Sequence, residues 1–460
     1  MEPRIVIVGG GSNQWVPKVL VDMVNTPSLG GAEIVLEDIN DANLPRMQRF
    51  VEHCAAIRGI PMTCRTTTDQ RDALAGADFV VVSISTGGFD SMAFDLEIPA
   101  SRGLVQTVGD TVGPGGIMRG LRNVPVLVGI ARDMEALCPD AWLLNLTNPM
   151  TTLTRAVTKA TAIKAVGVCH ESVLTTFVLS LLLGRSFLDI DLTVGGVNHL
   201  PWVTKVDVGG DDGLALLRDL MDDPSRRAEE LPFGLPRGLG MAPRPTDGPW
   251  TIGELLDVNQ VKLELLRTCG ALPAAGDRHL VEFFPWFCRD VDSLKQWGVV
   301  PTTIDERRAH EQRYSDALDA LLAKDEVSRW PSGETLAAVI DSLVTGTPRT
   351  VVLNLPNTTQ LPALAADVVV ESTCIVDGHG IRPRDVVDLP PVAAEHTRRV
   401  AASQEMVVRA GMEGGTDLVL EAMLADPLTG RLDLRTIGQM ADEMLAASRP
   451  WLRKTTNWRQ

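Results

Sequence analysis

Basic residues are fewer than acidic residues in this sequence, which limits the classes of partner that the protein can bind. The 460 residues carry 43 Lys and Arg against 59 Asp and Glu, a net charge of -16 at pH 7. A surface of this sign repels phosphate backbones and argues against a nucleic-acid partner. Long apolar runs are also missing, and the chain opens with a strand pattern instead of a signal peptide. We therefore expect no membrane partner and a cytoplasmic location.

Cysteine and tyrosine are also scarce. The seven cysteines are scattered and odd in number, which argues against a disulfide framework and favours reduced thiols in a cytoplasmic enzyme. Tyrosine occurs once, at Tyr314, in a stretch that predicts an exposed helix.

The N-terminal stretch predicts a phosphate-binding turn. Residues 4–12, RIVIVGGGS, are a short apolar strand pattern stopped by three glycines, and a helical pattern follows. A glycine turn before a helix N-terminus lets the backbone approach a pyrophosphate. The next predicted strand ends in acid, where a carboxylate would bind the ribose hydroxyls of NAD. The spacing is not the strict G-x-G-x-x-G, so a glycine turn without nucleotide is the alternative. The candidate cofactor residues are Gly9, Gly11, Ser12 and Asp38.

The order of patterns predicts an α/β protein with two parts. Strand and helix patterns alternate over residues 1–190, which favours a Rossmann-like, doubly wound parallel sheet. Residues 191–460 predict an α+β domain for catalysis and oligomerisation, with strands of a separate sheet. Within it, residues 224–250 hold six prolines and four glycines and predict a mobile lid or a disordered surface insertion.

Two clusters carry side chains suited to chemistry. Cys169-His170 and Asn198-His199 each follow a predicted strand, and a thiolate with an imidazole can hold a divalent transition metal. A buried thiol with hydrogen-bonded histidines is the alternative. Residues 276–282, GDRHLVE, place charged and titratable groups beside an apolar run. A solvated ion-pair turn is the alternative there.

Taken together, these stretches resemble family 4 of the glycoside hydrolases, the NAD- and manganese-dependent glycosidases. This family is an exception to the usual two-carboxylate mechanism. The matching stretches span nearly the whole chain: residues 5–12, 36–39, 106–111, 113–116, 121–122, 145–149, 167–170, 196–199, 276–285, 353–357 and 426–428.

The resemblance implies a fold related to lactate and malate dehydrogenases and a redox route to hydrolysis. NAD would accept hydride from C3 of the sugar, a base would remove the C2 proton, and the glycosidic oxygen would leave. Water would then add at C1 and NADH would return the hydride. Mn²⁺, or another divalent transition metal, would polarise the C3 ketone. The resemblance also implies a small glycoside substrate and a homodimer or homotetramer.

The same resemblance assigns roles to individual residues. Cys169 and His199 would bind the metal, His170 would be the acid for the leaving group, and Asn148 would contact the sugar. Asp110 lies where relatives carry an acidic residue important for activity.

The sequence departs from the family pattern at two places. Several members use a tyrosine as the C2 base, and the matching position here is Ala271. Asp277 and His279 are therefore the candidate bases, with a hydroxide on the metal as the alternative. Members that act on 6-phosphosugars carry an arginine where Met92 stands. We therefore expect α-galacturonides as substrates, with Arg278 paired to the uronate carboxylate.

Four other functions stay open from the sequence. Within the same family, these are a neutral α-glucosidase or α-galactosidase and a 6-phospho-glycosidase. From other classes, they are a 2-hydroxyacid-type NAD dehydrogenase and a non-catalytic NAD-binding sensor.

Overall fold

One mixed β-sheet runs through the part of the chain that the computed structural model describes, residues 2–231 and 249–452. Its strands are β1 Arg4–Val8, β2 Glu33–Glu37, β3 Thr63–Thr67, β4 Phe79–Val82, β5 Trp142–Asn145, β6 Lys164–Gly167, β7 Ile190–Val197, β8 Leu200–Val208, β9 Asp211–Asp212, β10 Leu272–Pro273, β11 Arg349–Pro356, β12 Val369–Asp377 and β13 Gly380–Pro383.

Helices surround this sheet. They are α1 Val16–Val24, α2 Leu44–Arg58, α3 Gln70–Leu74, α4 Gly88–Ala100, α5 Gly113–Leu137, α6 Met150–Ala160, α7 Glu171–Leu183, α8 Gly213–Asp222, α9 Ile252–Asp257, α10 Gln260–Cys269, α11 Asp277–Phe283, α12 Val291–Gln296, α13 Ile304–Leu322, α14 Leu336–Thr345, α15 Pro391–Glu413, α16 Thr416–Ala425 and α17 Leu434–Ser448. No helix of the described residues is long and apolar enough to cross a membrane.

The N-terminal half of the sheet is parallel, as the alternation predicted. Its strand order is β3-β2-β1-β4-β5-β6. Successive side chains of β1 point to opposite faces. Ile5 and Ile7 pack in the core beneath α1 and α2, whereas Val6 and Val8 pack in the core beneath α5 and α6. Both faces are therefore covered, and the loops at the carboxyl ends of the strands are free to form a site.

The prediction of a separate second sheet is wrong. Strand β11 pairs antiparallel with β6 and carries the sheet on through β12, β7, β8 and β10. The contact between the two halves is the pair Asn354 and Gly167. A Cβ atom on Gly167 would lie 2.6 Å from the Met150 side chain and 2.9 Å from Cβ of Asn354. Glycine therefore permits the close approach that makes the sheet continuous.

Other boundaries also differ from the predictions. The sequence pattern predicts a glycine-rich loop over residues 108–116 and a helix from about Leu121. Helix α5 instead begins at Gly113, because Pro114 suits the first turn of a helix. The apolar spacing over residues 252–268 predicts one helix, but the structure has two, α9 and α10. Most of the predicted lid or insertion, residues 232–248, lies outside the described residues.

Candidate functional site

The glycine turn after β1 is held by backbone hydrogen bonds to the end of β2. The amides of Gly9 and Gly10 both donate to the carbonyl oxygen of Glu37, at 2.9 and 2.8 Å. Gly9 has φ 88°, and a Cβ atom there would overlap the carbonyl oxygen of Ser83 at the end of β4. Glycine is therefore required at Gly9 on both conformational and steric grounds.

The acid at the end of β2 contacts this turn directly. Asp38 accepts a hydrogen bond from the amide of Gly11 at 3.1 Å. The hydroxyl of Ser12 accepts one from the amide of Trp15, just before α1, at 3.3 Å. The structure thus brings the predicted cofactor residues Gly9, Gly11, Ser12 and Asp38 into one turn.

Helix α13 lies against the same turn. Glu311 accepts a hydrogen bond from Asn13 at 2.8 Å, and the Lys18 ammonium group lies 5.0 Å from the Trp15 ring and 5.7 Å from the Tyr314 ring. Tyr314 is partly buried, whereas α13 as a whole is exposed, as predicted, with Leu318 as its one buried residue.

A second group of side chains assembles around Asp110. Its Oδ1 accepts a hydrogen bond from the Thr111 hydroxyl at 2.7 Å, and its Oδ2 accepts one from Asn148 Nδ2 at 3.1 Å. The Thr111 hydroxyl also lies 2.8 Å from Nδ1 of His199. The Thr111 hydroxyl has one proton, which it donates to Asp110. His199 Nδ1 must therefore donate its own proton to the Thr111 oxygen, and His199 Nε2 keeps a lone pair.

Asp110, His199 and His279 form what we call the histidine cluster. One ligand atom from each residue lies within 4.8 Å of those of the other two. The two imidazole rings are 3.8 Å apart at their centroids, and His279 Nδ1 lies 4.0 Å from Asp110 Oδ1. His199 occupies the second position of the two-residue β7–β8 turn with φ 64°, a left-handed conformation that is rare for histidine.

Burial and mutual charge shift the pKa values in the cluster. Burial raises the pKa of the Asp110 carboxyl, but His279, His199 and Arg119 outweigh it, so the net pKa is lowered. Burial, with the neighbouring His279, lowers the pKa of His199 to about 3. The pKa of His279 is also lowered, first by burial. The imidazoles are thus held neutral beside an ionised carboxylate, as divalent-metal ligands and proton acceptors must be.

Glu171 is a site residue that the sequence analysis missed. Its Oε2 accepts a hydrogen bond from the Gly276 amide at 2.6 Å, and its Oε1 lies 3.8 Å from His170 Nε2 and 4.0 Å from His279 Nε2. Burial raises the pKa of this carboxyl, but His279 and the other histidines lower it to about 2. Its position next to His170 in the sequence was the available signal.

His170 lies between two carboxylates and an aromatic ring. Its Nδ1 is 3.6 Å from Oε1 of Glu334, which comes from the segment before α14, and the Trp15 ring is 5.6 Å away. Nothing local in the sequence marks Glu334, because it approaches His170 only through the fold.

Cys169 is not one of the three members of the histidine cluster, and it interacts with Asn198, the sequence neighbour of His199. Its thiol is buried, and burial, followed by Glu371 and Glu171, raises its pKa well above 9 while a hydrogen bond from Asn198 opposes that shift. A bound cation would be needed to hold this side chain as a thiolate.

Asp277 and Arg278 make other contacts than those expected for a base and a substrate ligand. The Asp277 carboxylate accepts hydrogen bonds from the amides of Val261 and Lys262, at 2.8 and 3.1 Å, and thus caps α10. Burial raises its pKa to about 6. Arg278 donates to the Thr302 hydroxyl, and its Nε is buried without a hydrogen-bond partner.

The donor sets fit both a dinucleotide and a divalent metal. The turn leads to the N-terminus of α1, where the helix dipole favours a phosphate, and Asp38 at the end of β2 is suited to ribose hydroxyls. In the cluster, His279 Nδ1 and Asn148 Oδ1 are buried without hydrogen-bond partners. Imidazole nitrogens and a carboxylate within reach of one point suit Mn²⁺ or Zn²⁺.

Comparison with known proteins identifies the family. The Family 4 glycosyl hydrolase profile matches residues 4–184, and its C-terminal domain profile matches residues 194–429. The chain belongs to this family. An α-galactosidase of Bacillus subtilis is 32% identical over 454 residues, covering 98% of this chain and 99% of the relative. An α-galacturonidase of Lachnoclostridium phytofermentans is 29% identical over 470 residues, covering 99% and 97%.

Solved structures confirm the predicted fold of this family 4 chain. The crystal structure of lplD from Bacillus subtilis has a TM-score of 0.86 at 29% identity, covering 96% of this chain and all of that one. A 6-phospho-α-glucosidase from gut microorganisms, in complex with NAD and Mn²⁺, has a TM-score of 0.83 at 20% identity, covering 99% and 100%. Lactate dehydrogenase from Cryptosporidium parvum has a TM-score of 0.54 at 14% identity, covering 90% and 99%. The predicted relation to the dehydrogenase fold is therefore correct.

Proposed function

We propose that this protein hydrolyses α-galacturonides and needs NAD and Mn²⁺, or another divalent transition metal, to do so. The observation that carries the proposal is the presence in one chain of a glycine turn in contact with Asp38 and of the largely buried, neutral histidine cluster. Relatives named α-galacturonidase support the substrate, and the complex of a structural neighbour with NAD and Mn²⁺ supports the cofactors.

Each cofactor has candidate residues to hold it. Gly9, Gly11, Ser12 and Asp38 would hold NAD. His199, through its Nε2 lone pair, and Cys169 are the proposed metal ligands, and the distances also admit Asp110 and His279. When bound, NAD supplies a reversible hydride acceptor and the metal supplies a Lewis acid for a sugar ketone.

The side chains of the site divide the remaining tasks. His170, held between Glu171 and Glu334, is placed to give a proton to the leaving oxygen. For the C2 proton we propose His279 rather than Asp277, because the Asp277 carboxylate is committed to the α10 amides while His279 Nδ1 has no hydrogen-bond partner. The buried Oδ1 of Asn148 is free to accept a hydrogen bond from a sugar hydroxyl.

Arg278 and Met92 support a uronate substrate over a phosphorylated one. Met92 is buried and uncharged, so it cannot hold a phosphate. The Arg278 guanidinium lines a cavity and donates to the Thr302 hydroxyl, and its remaining N–H groups are suited to a carboxylate. We expect Arg278→Ala to weaken transition-state binding of a galacturonide by about 2–5 kcal/mol. Faster turnover of a 6-phosphoglycoside than of the matching galacturonide by the wild type would contradict the proposal.

A substrate screen tests the proposal. Nitrophenyl α-glycosides and oligogalacturonides are incubated with NAD, Mn²⁺ and a reductant, and with either cofactor removed. We expect galacturonide hydrolysis without accumulation of NADH, lost when either cofactor is withheld. Accumulating NADH would favour a 2-hydroxyacid-type dehydrogenase, and preference for a neutral glycoside would favour an α-glucosidase or α-galactosidase.

Metal binding separates the candidate ligands. We expect Cys169→Ser to weaken Mn²⁺ affinity and abolish activity while NAD titrates normally. His279→Ala, measured in the same way, tests whether the histidine cluster itself binds the ion. Wild-type Mn²⁺ affinity and turnover in Cys169→Ser would show that the thiol is not a ligand. The homodimer or homotetramer and the cytoplasmic location stay predictions, and sedimentation velocity would test the former.

A further inference from the structure

A cavity adjoins the histidine cluster, and most of the residues that line it have no role assigned so far. Its volume is about 260 Å³, and Glu171 and Gly276 form part of its wall. The rest of the wall comes from α7, the α9–α10 junction, α10, α11 and the segment 298–302, together with the start of α13. Because Glu171 also lies 4.0 Å from His279, the cavity adjoins the place where we propose that the sugar binds.

Lys262, in the first turn of α10, lines this cavity and is only 5% exposed. Within the described ranges, 2–231 and 249–452, no carboxylate oxygen lies within 4 Å of its Nζ and no side chain or carbonyl forms a hydrogen bond with it. Lysine is almost never buried without a partner, because removing an ammonium group from water is costly. The Nζ of Lys262 opens onto the cavity, so an anion bound there can pair with it.

The acids that line the cavity are already committed to backbone amides. Glu171 accepts from Gly276, Asp277 accepts from the amides of Val261 and Lys262, and Glu306 accepts from the amide of Thr303. Asp277 and Glu171 are near enough to oppose the lowering of the Lys262 pKa by burial. Asp277 accepts from the backbone amide of Lys262, however, and Glu171 accepts from the amide of Gly276. Neither carboxylate therefore forms an ion pair with the Lys262 ammonium group.

Arg278 adds a second cation to the same wall, and its Nε is also buried without a partner. The wall thus carries the Lys262 ammonium group, which has no protein partner, and the Arg278 guanidinium, which donates to the neutral Thr302 hydroxyl. Such a wall favours an anionic group over a neutral sugar, since a hydroxymethyl group would offer neither cation a charged partner.

We propose that Lys262 is a specificity-determining residue that binds the carboxylate of the cleaved sugar, together with Arg278. This inference rests on the proposed function, because it names the partner of the uronate in that reaction. Neither Lys262 nor Arg278 takes part in proton transfer in this proposal. Substitution of Lys262 should therefore change substrate preference and KM.

The experiment compares holoenzyme variants on two substrates that differ at one group, 4-nitrophenyl α-galacturonide and 4-nitrophenyl α-galactoside. Lys262→Met keeps the length of the side chain and removes the charge. We expect it to reduce the galacturonide-to-galactoside ratio of kcat/KM by at least about 30-fold, mainly through KM. Lys262→Arg should restore most of the ratio. Lys205→Met, which removes an exposed lysine on β8, should leave it unchanged.

Stability measurements exclude a merely structural role for Lys262. Because the ammonium group has no partner in the free protein, Lys262→Met should not lower the melting temperature. Free galacturonate should raise the melting temperature of the wild type more than galactose does, and this difference should shrink in the variant. A lower melting temperature with an unchanged substrate ratio would overturn the inference.

Two further results keep the inference and the proposed function apart. If the wild type prefers the galactoside, the proposed function fails at once, whatever the variant does. If the wild type prefers the galacturonide and Lys262→Met keeps that preference, the function stands and the role of Lys262 is wrong. A loss seen only with digalacturonate would place the carboxylate on the leaving sugar and would also overturn the assignment.

Discussion

The glycine turn follows β1 and the histidine cluster surrounds the β7–β8 turn, yet the two are built in different ways. The turn is formed by consecutive residues, 9–12, and a side chain at Gly9 would collide with the Ser83 carbonyl. The cluster is formed by side chains from a loop, a strand turn and helix α11, which are far apart in the sequence, and it depends on burial and charge. In the proposed function, the turn would match a dinucleotide by shape, whereas the cluster would match the sugar and the metal by placed charges and lone pairs. Substitutions in the turn should therefore affect NAD binding and stability, whereas substitutions in the cluster should affect catalysis.

The largest effect is expected in the turn. Gly9→Ala forces a Cβ atom into the Ser83 carbonyl at φ 88°, so we expect it to destabilise the protein by about 4 kcal/mol or more and to abolish NAD binding. Urea unfolding and a fluorescence titration with NAD would measure both.

Gly59→Ala is the matched control for that change. Gly59 also has a positive φ, 64°, but a Cβ atom there would meet nothing within 4 Å. Its cost should be about 1 kcal/mol, with normal NAD affinity. Equal effects of the two substitutions would mean that the turn needs only backbone freedom and not close approach.

In the cluster, we expect loss of catalysis without loss of the nucleotide site. His279→Ala should lower kcat by about 100- to 10,000-fold on a galacturonide, the usual range for a general base, while NAD affinity stays normal. Steady-state kinetics and the NAD titration would show the split.

Asp277→Asn, two positions away, is the contrasting change. It weakens the hydrogen bonds to the α10 amides and should cost about 1–2 kcal/mol of stability. If Asp277→Asn lowered kcat as much as His279→Ala does, with unchanged stability, Asp277 would be the better candidate for the base.

The smallest effect concerns the support of the Asp110 loop. Glu282 accepts hydrogen bonds from the amides of Val108 and Gly109, and burial raises its pKa to about 7 from 4.5. The folded state therefore binds the proton more tightly than the unfolded state, and ionisation destabilises the fold as pH rises from about 4.5 to 7.

Glu282→Gln keeps an acceptor and cannot ionise. We expect the stability of the variant relative to the wild type to rise over that pH range, by on the order of 1 kcal/mol, and to level off above pH 7. Urea unfolding at a series of pH values would measure it. A difference that does not change with pH would show that Glu282 is ionised throughout.

Local features were predictable from the sequence. The glycine turn, strand β1 and the helix α13 follow from patterns of adjacent residues, because turns and amphipathic helices are set by local conformation and spacing. The earlier start of α5 was also signalled, by Pro114 behind Gly113.

Features that depend on distant pairing were not predictable. The prediction of a separate sheet was wrong because β6 and β11 are joined by one residue pair, Asn354 and Gly167. Nothing in the sequence near Gly167 specifies that partner. Asp277 and His279 are two residues apart on α11, yet one caps α10 and the other enters the cluster. The directions of these two side chains depend on how α11 packs against the rest of the protein, which the sequence alone does not specify.

The central claim is that one protein combines the turn and the cluster to break a glycosidic bond by oxidation and elimination. Hydrolysis of a galacturonide in heavy water tests it most directly. With NAD and Mn²⁺ present, the released galacturonate should carry deuterium at C2, and a C2-deuterated substrate should react more slowly. Full turnover without NAD, or a product free of C2 deuterium with no isotope effect, would contradict the account.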